Sequence, residues 1–244
     1  CHKKEGHGHL TVQQAVAYSC NKPFFETAKR VSIDLLAHYA YIFGLGKTTT
    51  SIFPEKEGIV PSTTWKRMTK KEKWWPGETL SAAIGQSFLS VTPIQIARMI
   101  GSIFTGSLVR PRILMSEPIE QQKLALSATT RSFLKKSMKQ VVTSGTGRQV
   151  NHIKNMKVYA KTSTAQTSTL EKRELATIFK EHAWFASYVQ YKEESPFVMV
   201  ILIENAGSSS VSAGVAKQFL IEYKRYVDGI DFCTSTIPPL STST

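Results

Sequence analysis

The chain has 244 residues, 41% of them hydrophobic, and 31 Lys and Arg against 18 Asp and Glu give it a net charge of +13. That composition excludes a disordered polyelectrolyte and fits one large or two small packed domains, while the positive balance favours an anionic partner. No run approaches 18 apolar residues, so no spanning helix is expected. Cys1, Cys20 and Cys233 are too few and too widely spaced for a disulfide framework or a paired zinc motif. The sequence starts at Cys1 and carries no signal peptide, which reads as a fragment whose targeting segment lies elsewhere.

In chain order, Thr11 to Gln14 spells a capping box before Val12, Ala15 and Val16, predicting a short helix that delivers Ser19 and Asn21 at its C-terminal end. Pro23 suits the first turn of a second helix, and Ser32 can cap a third that Gly44 ends. Residues 44–80 read as irregular. Thr92 and Pro93 open a helix with Ile94, Ala97 and Ile100 facing inward, stopped by Gly106. Residues 127–143 form the next, with Leu134, Met138 and Val141 at helical spacing.

The period then changes. "KVYAKTST", "HAWFASYVQY" and the continuously apolar "PFVMVILIEN" read as three strands, the last typical of a buried central position and joined to the second by the polar link "KEES" as a hairpin. A closing helix places Val215, Phe219, Leu220, Tyr223 and Val227 on one face, before a flexible tail over 234–244. The class is α+β, with residues 1–233 forming the folded part.

Several strings carry chemistry in other settings. "GLGKT" (44–48) lacks the first glycine of a phosphate loop and reads as a helix stop and turn. Cys1, His2, His7 and His9 crowd one terminus without a second cluster, so no metal centre is expected. "SFLK" (132–135) spells Ser-x-x-Lys, but Ser132 falls opposite the predicted inner face among Lys135, Lys136 and Lys139, a solvated position where a base stays protonated. "VYAKTSTAQTS" (158–168) sets Lys161 among hydroxyls with no carboxylate before Glu171. That pattern fits either an ordinary edge strand or a site for a substrate carboxylate.

"SCN" at Ser19 to Asn21 and "KTS" at Lys161 to Ser163 resemble the Ser-x-Asn and Lys-Thr/Ser-Gly signatures of the penicillin-recognising serine acyltransferases. With "GHGHLTVQQAVAYSCNKPFFETA", "WWPGETLSAAIGQSFLSVTPIQIA", "SGTGR", "AKTSTAQ" and "VILIENAG", in this order and at these spacings, the chain from about His7 to about Val227 is similar to the transpeptidase domain of class B penicillin-binding proteins, elongation type. The resemblance implies a penicillin-binding, serine β-lactamase-like fold: a five-stranded antiparallel sheet between helices, beside a helical lobe, with the site between them. It implies acyl transfer between peptidoglycan stem peptides in cell-wall elongation, with β-lactams trapping the acyl-enzyme. By similarity Ser19 relays a proton, Asn21 holds the donor amide, Lys161 supplies positive potential, the Thr162 hydroxyl bonds the donor carboxylate, and the Thr164 N–H forms half an oxyanion hole.

Two departures stand out. The family's Ser-x-x-Lys nucleophile precedes Ser-x-Asn and is not among these residues, so this chain alone is expected to be inactive and to leave the apolar strand with an open edge. Ser163 replaces the family's glycine, and alternation puts its side chain on the Lys161 face. The resemblance further implies anchoring in the bacterial cytoplasmic membrane with this domain in the periplasm. Expected partners are lipid-linked precursor, a membrane glycosyltransferase and other elongation proteins. No cofactor and no nucleic acid are implied. A non-catalytic wall-binding or scaffold module would keep the cleft without turnover, and a basic nucleic-acid binder rests on net charge alone.

Overall fold

The structure is a computed structural model that describes residues 3, 5–49, 54–166 and 177–229. The predicted tail over 234–244, with Cys1, His2 and Cys233, lies outside the described residues. Helices α1 (Val12–Ala17), α2 (Lys22–Ala28) and α3 (Ile33–Ile42) come first. Next come α4 (Thr63–Lys70), α5 (Pro76–Ala82) and α6 (Pro93–Thr105), then the hairpin β1 (Ser107–Val109) and β2 (Gln121–Lys123) and helix α7 (Ala128–Thr143). Strands β3 (Met156–Ala165), β4 (His182–Tyr191) and β5 (Phe197–Ile203) follow, and α8 (Ser209–Val227) closes the fold.

The capping signals act where the sequence puts them. Thr11 and Gln14 form a reciprocal capping box on α1, Ser32 caps α3 through Leu35 N, and Thr92 with Gln95 caps α6, which Gly106 ends in the left-handed region. Helices α4 and α5 were not legible. The side chain that α4 buries is a lysine, Lys66, 2% exposed, whose Nζ meets Glu78 at 2.5 Å and Glu72 at 3.3 Å. A polar core contact of this kind leaves no apolar period to read, although pairing makes the burial tolerable. The "GLGKT" segment is a turn with Gly44 and Gly46 at positive φ, as expected of a helix stop.

β3, β4 and β5 form one antiparallel sheet in that order, with Lys161 opposite Ala186 and Ala186 opposite Val200. One face packs on α8 through Val158, Ala160, Phe185, Val189, Ala213, Ala216 and Leu220. The other packs on α6 and α7 through Ile100, Ile103, Met138 and Ala186. Two readings needed correction. Ile94 faces outward at 39% exposure, because the buried stripe of α6 runs through Gln95, whose amide caps the carbonyls of Lys47 and Glu57. On α8 the buried stripe is Ser212, Ala213, Ala216 and Leu220: small residues bring the helix close to the sheet and leave Val215 and Phe219 at its flank. β5, as apolar as a central strand, lies at an edge of the sheet, the open edge expected for it, and among the described residues the sheet has three strands.

Candidate active site

The site forms where α1, the loop after α7 and the exposed edge of β3 converge. At the end of α1, Ser19 N donates to Val16 O and Cys20 N to Ala15 O, the paired bonds of a Schellman cap. That cap places Ser19 in the left-handed region at φ 52°, where a side chain is strained and glycine is the usual occupant. The strain turns the Ser19 hydroxyl onto the Lys161 ammonium, which donates to Ser19 Oγ and, at 2.7 Å, to Thr162 O. Replacing Ser19 with glycine is expected to raise stability in urea unfolding by about 1 kcal/mol while abolishing the contact with Lys161. A lower midpoint for the variant would contradict the strain argument.

Asn21 opens α2 as its N-cap residue without a side-chain capping bond. Its amide is therefore not committed to the helix start. Lys161 keeps part of its surface at solvent, but the surrounding protein pulls its pKa down to about 8, because burial disfavours the ammonium. Ser163 shares the Lys161 face of β3 and is exposed, as alternation requires, whereas Thr164 is half-buried.

Thr162 departs from expectation. It is 2% exposed on the opposite face of β3, with its hydroxyl bonded to Thr146. A side chain beneath the strand supports the site from below, whereas the exposed hydroxyl of Ser163 lies on the Lys161 face.

Two contributors went unassigned in the sequence, although both lie in stretches that carried the resemblance. Thr146, in "SGTGR", donates its N–H to Ala17 O at 3.1 Å and bonds Thr162 through its hydroxyl. It ties the helix end that carries Ser19 to the strand that carries Lys161. The neighbouring Gly145 makes this possible by close approach: a Cβ there would lie 2.2 Å from Ala17 O and 2.9 Å from Val141 Cα. Gln86, in "AAIGQSFL", donates to Thr164 O at 3.2 Å and accepts from Gln166 N at 3.2 Å, extending β3 from the helical side of the cleft. Gly85 and Ser87, both at positive φ, bracket it.

The Ser-x-x-Lys spelling on α7 does not make a catalytic pair. Ser132 is exposed, and Lys135 Nζ donates to Phe104 O at 3.2 Å. Among the described residues the cleft holds groups that donate, accept and attract charge, and the serine–lysine contact seen there is Ser19 with Lys161.

These residues, in this order and on this fold, have counterparts in a known family. Residues 1–221 match the profile of the penicillin binding protein transpeptidase domain, and the chain belongs to that family. Its relatives point to the class B, elongation-type branch. The peptidoglycan D,D-transpeptidase MrdA of Haemophilus influenzae is 31% identical over 91% of this chain and 37% of its own length, and that of Escherichia coli K12 is 27% identical over 89% and 38%. Among solved structures, the complex between penicillin-binding protein PBP2 and MreC from Helicobacter pylori superposes with a TM-score of 0.78 at 28% identity, covering 93% of this chain and 42% of that one. Pseudomonas aeruginosa PBP2 in complex with WCK 5153 gives 0.74 at 28% identity, covering 89% and 48%. The chain thus spans less than half the length of the curated relatives it matches.

Proposed function

We propose that the protein carrying this chain is a peptidoglycan D,D-transpeptidase of cell-wall elongation, and that these residues supply the supporting half of its site. The observation that carries the reading is the Ser19–Lys161 contact, held in place by Thr146 and flanked by Asn21 and Thr164. In the reaction a serine attacks the D-alanyl-D-alanine carbonyl, an ester forms, and D-alanine leaves with a proton. An amine of a second stem then attacks the ester, restoring the serine and forming the cross-link. Ser19 both accepts and donates, so it can pass the proton toward the leaving amine. Lys161 offers positive charge to the donor carboxylate, Asn21 an amide to the donor backbone, and the Thr164 N–H a donor to the developing oxyanion.

The similarity to MrdA relatives and to a PBP2 bound to MreC supports membrane attachment with a periplasmic site and assembly with elongation proteins. No described helix is long and apolar enough to cross a membrane. A non-catalytic wall-binding module is the second reading, favoured by the absence of a Ser-x-x-Lys spelling among the described cleft residues. Covalent labelling of the intact protein by a fluorescent penicillin decides between them.

Ser163 should slow that labelling. Its hydroxymethyl group projects from the Lys161 face, where glycine would let an acyl donor lie against the strand. Ser163→Gly is expected to acylate faster with a β-lactam than the parent protein. Equal second-order rate constants would show that the strand accommodates the side chain without cost.

A further inference from the structure

Beside the cleft, α7, β3 and the start of α1 enclose an open groove of about 800 Å³. Gln13, Tyr159, Lys135, Lys136, Lys139 and Ser144 are among its lining residues. Each wall leads into the site: α1 runs from Gln13 to Ala17, two residues before Ser19, α7 ends at Thr143, three residues before Thr146, and β3 carries Tyr159 and Lys161 on one face.

Among the described residues that line the groove there are four cations and no carboxylate. Between Glu120 and Glu171 the chain carries nine Lys or Arg and no Asp or Glu. Arg131 and Lys135 are occupied, donating to carbonyls at the C-terminal end of α6, Ile103 O and Phe104 O for the first and Phe104 O for the second. Lys139 lies over the Tyr159 ring, its ammonium 5.7 Å from the centroid, and Lys136 is exposed. Among the described residues neither Lys136 nor Lys139 has a carboxylate within ion-pair distance. Three residues apart on a helix, they present two ammonium groups to one ligand.

We propose that this groove binds a carboxylate-bearing peptide strand that runs on into the cleft, an inference that rests on the proposed reaction. Its length favours such a ligand: the helix from Arg131 to Thr143 spans about 18 Å, the reach of roughly five extended residues. Its two free cations are point charges on flexible arms, and the one guanidinium is turned onto α6 instead of offering a fork to phosphate.

The probe is an N-acetylated tetra-glutamate peptide titrated calorimetrically into the intact protein at about 0.1 M salt, where distant surface charges are screened. Saturable binding is expected, with none for tetra-glutamine. Lys136→Gln with Lys139→Gln should weaken it about tenfold, and Lys136→Arg with Lys139→Arg should retain it, a rescue that a folding defect would not give. Unchanged affinity in the glutamine variant, or tighter binding of inorganic pyrophosphate than of the peptide, overturns the proposal. Penicillin labelling is scored separately on the unmodified protein: peptide binding without labelling supports the groove and sinks the reaction.

Discussion

Lys161→Gln is expected to lower the rate of β-lactam acylation of the intact protein by about two to four orders of magnitude, the range for loss of a positioned proton-transfer or charge-stabilising group. The ammonium bonds Ser19 Oγ and is the charged group that the sequence places in the "KTS" strand. The same residue sets a pH dependence. Burial lowers its pKa to about 8 from 10.5, so its positive charge, and with it the attraction for a substrate carboxylate, is lost as pH rises through about 8. Acylation should fall along an alkaline limb centred there, and that limb should vanish in Lys161→Gln. Stability runs the other way. Between about 8 and 10.5 the unfolded chain binds the proton that the folded chain has released, so this group makes the fold more stable as pH increases across that window. At neutral pH the buried charge is a cost, and Lys161→Gln should therefore unfold at higher urea while losing activity. A variant that is both less stable and fully active would contradict both arguments.

Gly145→Ala is expected to be among the most damaging single substitutions in the fold. Its Cβ would meet Ala17 O at 2.2 Å and Val141 Cα at 2.9 Å, both backbone atoms that cannot rotate away. Relief requires α1 to separate from the loop after α7, breaking the bond from Thr146 N to Ala17 O. Loss of about 3 kcal/mol in urea unfolding is expected, at the upper end of overpacking costs. Acylation should fall with it even where the variant stays folded, because Ser19 and Lys161 lie on opposite sides of that joint. A midpoint shift under about 0.5 kcal/mol, within the range of surface changes, would mean that the joint is not rigid.

The sequence told most where local chemistry decides. Thr11, Ser32, Thr92 and Ser127 cap their helices through nearby backbone N–H groups, and such bonds need only a few residues of sequence. The strands were legible because their alternation and apolar runs are local too. What escaped was settled by partners distant in sequence. Helix α4 turns on a buried Lys66–Glu78 pair, and α8 buries alanines because the sheet lets it come close. At the site, motif spelling singled out Ser19, Asn21, Lys161, Thr162, Ser163 and Thr164, and the structure brings Ser19 and Lys161 into contact. It could not show that Thr162 points beneath the strand toward Thr146, or that Gln86 reaches across from the helical side to the end of β3. Those contacts span 16 and 78 residues of sequence, and no periodicity reports them.

The most direct test is fluorescent-penicillin labelling of the intact protein followed by peptide mapping. The account predicts a covalent adduct on a serine that is none of Ser19, Ser132 and Ser163, lost or slowed by orders of magnitude in Lys161→Gln. An adduct on Ser132 would make the α7 Ser-x-x-Lys pair the nucleophile and contradict the assignment of the cleft. No adduct on folded protein would contradict the transpeptidase reading itself.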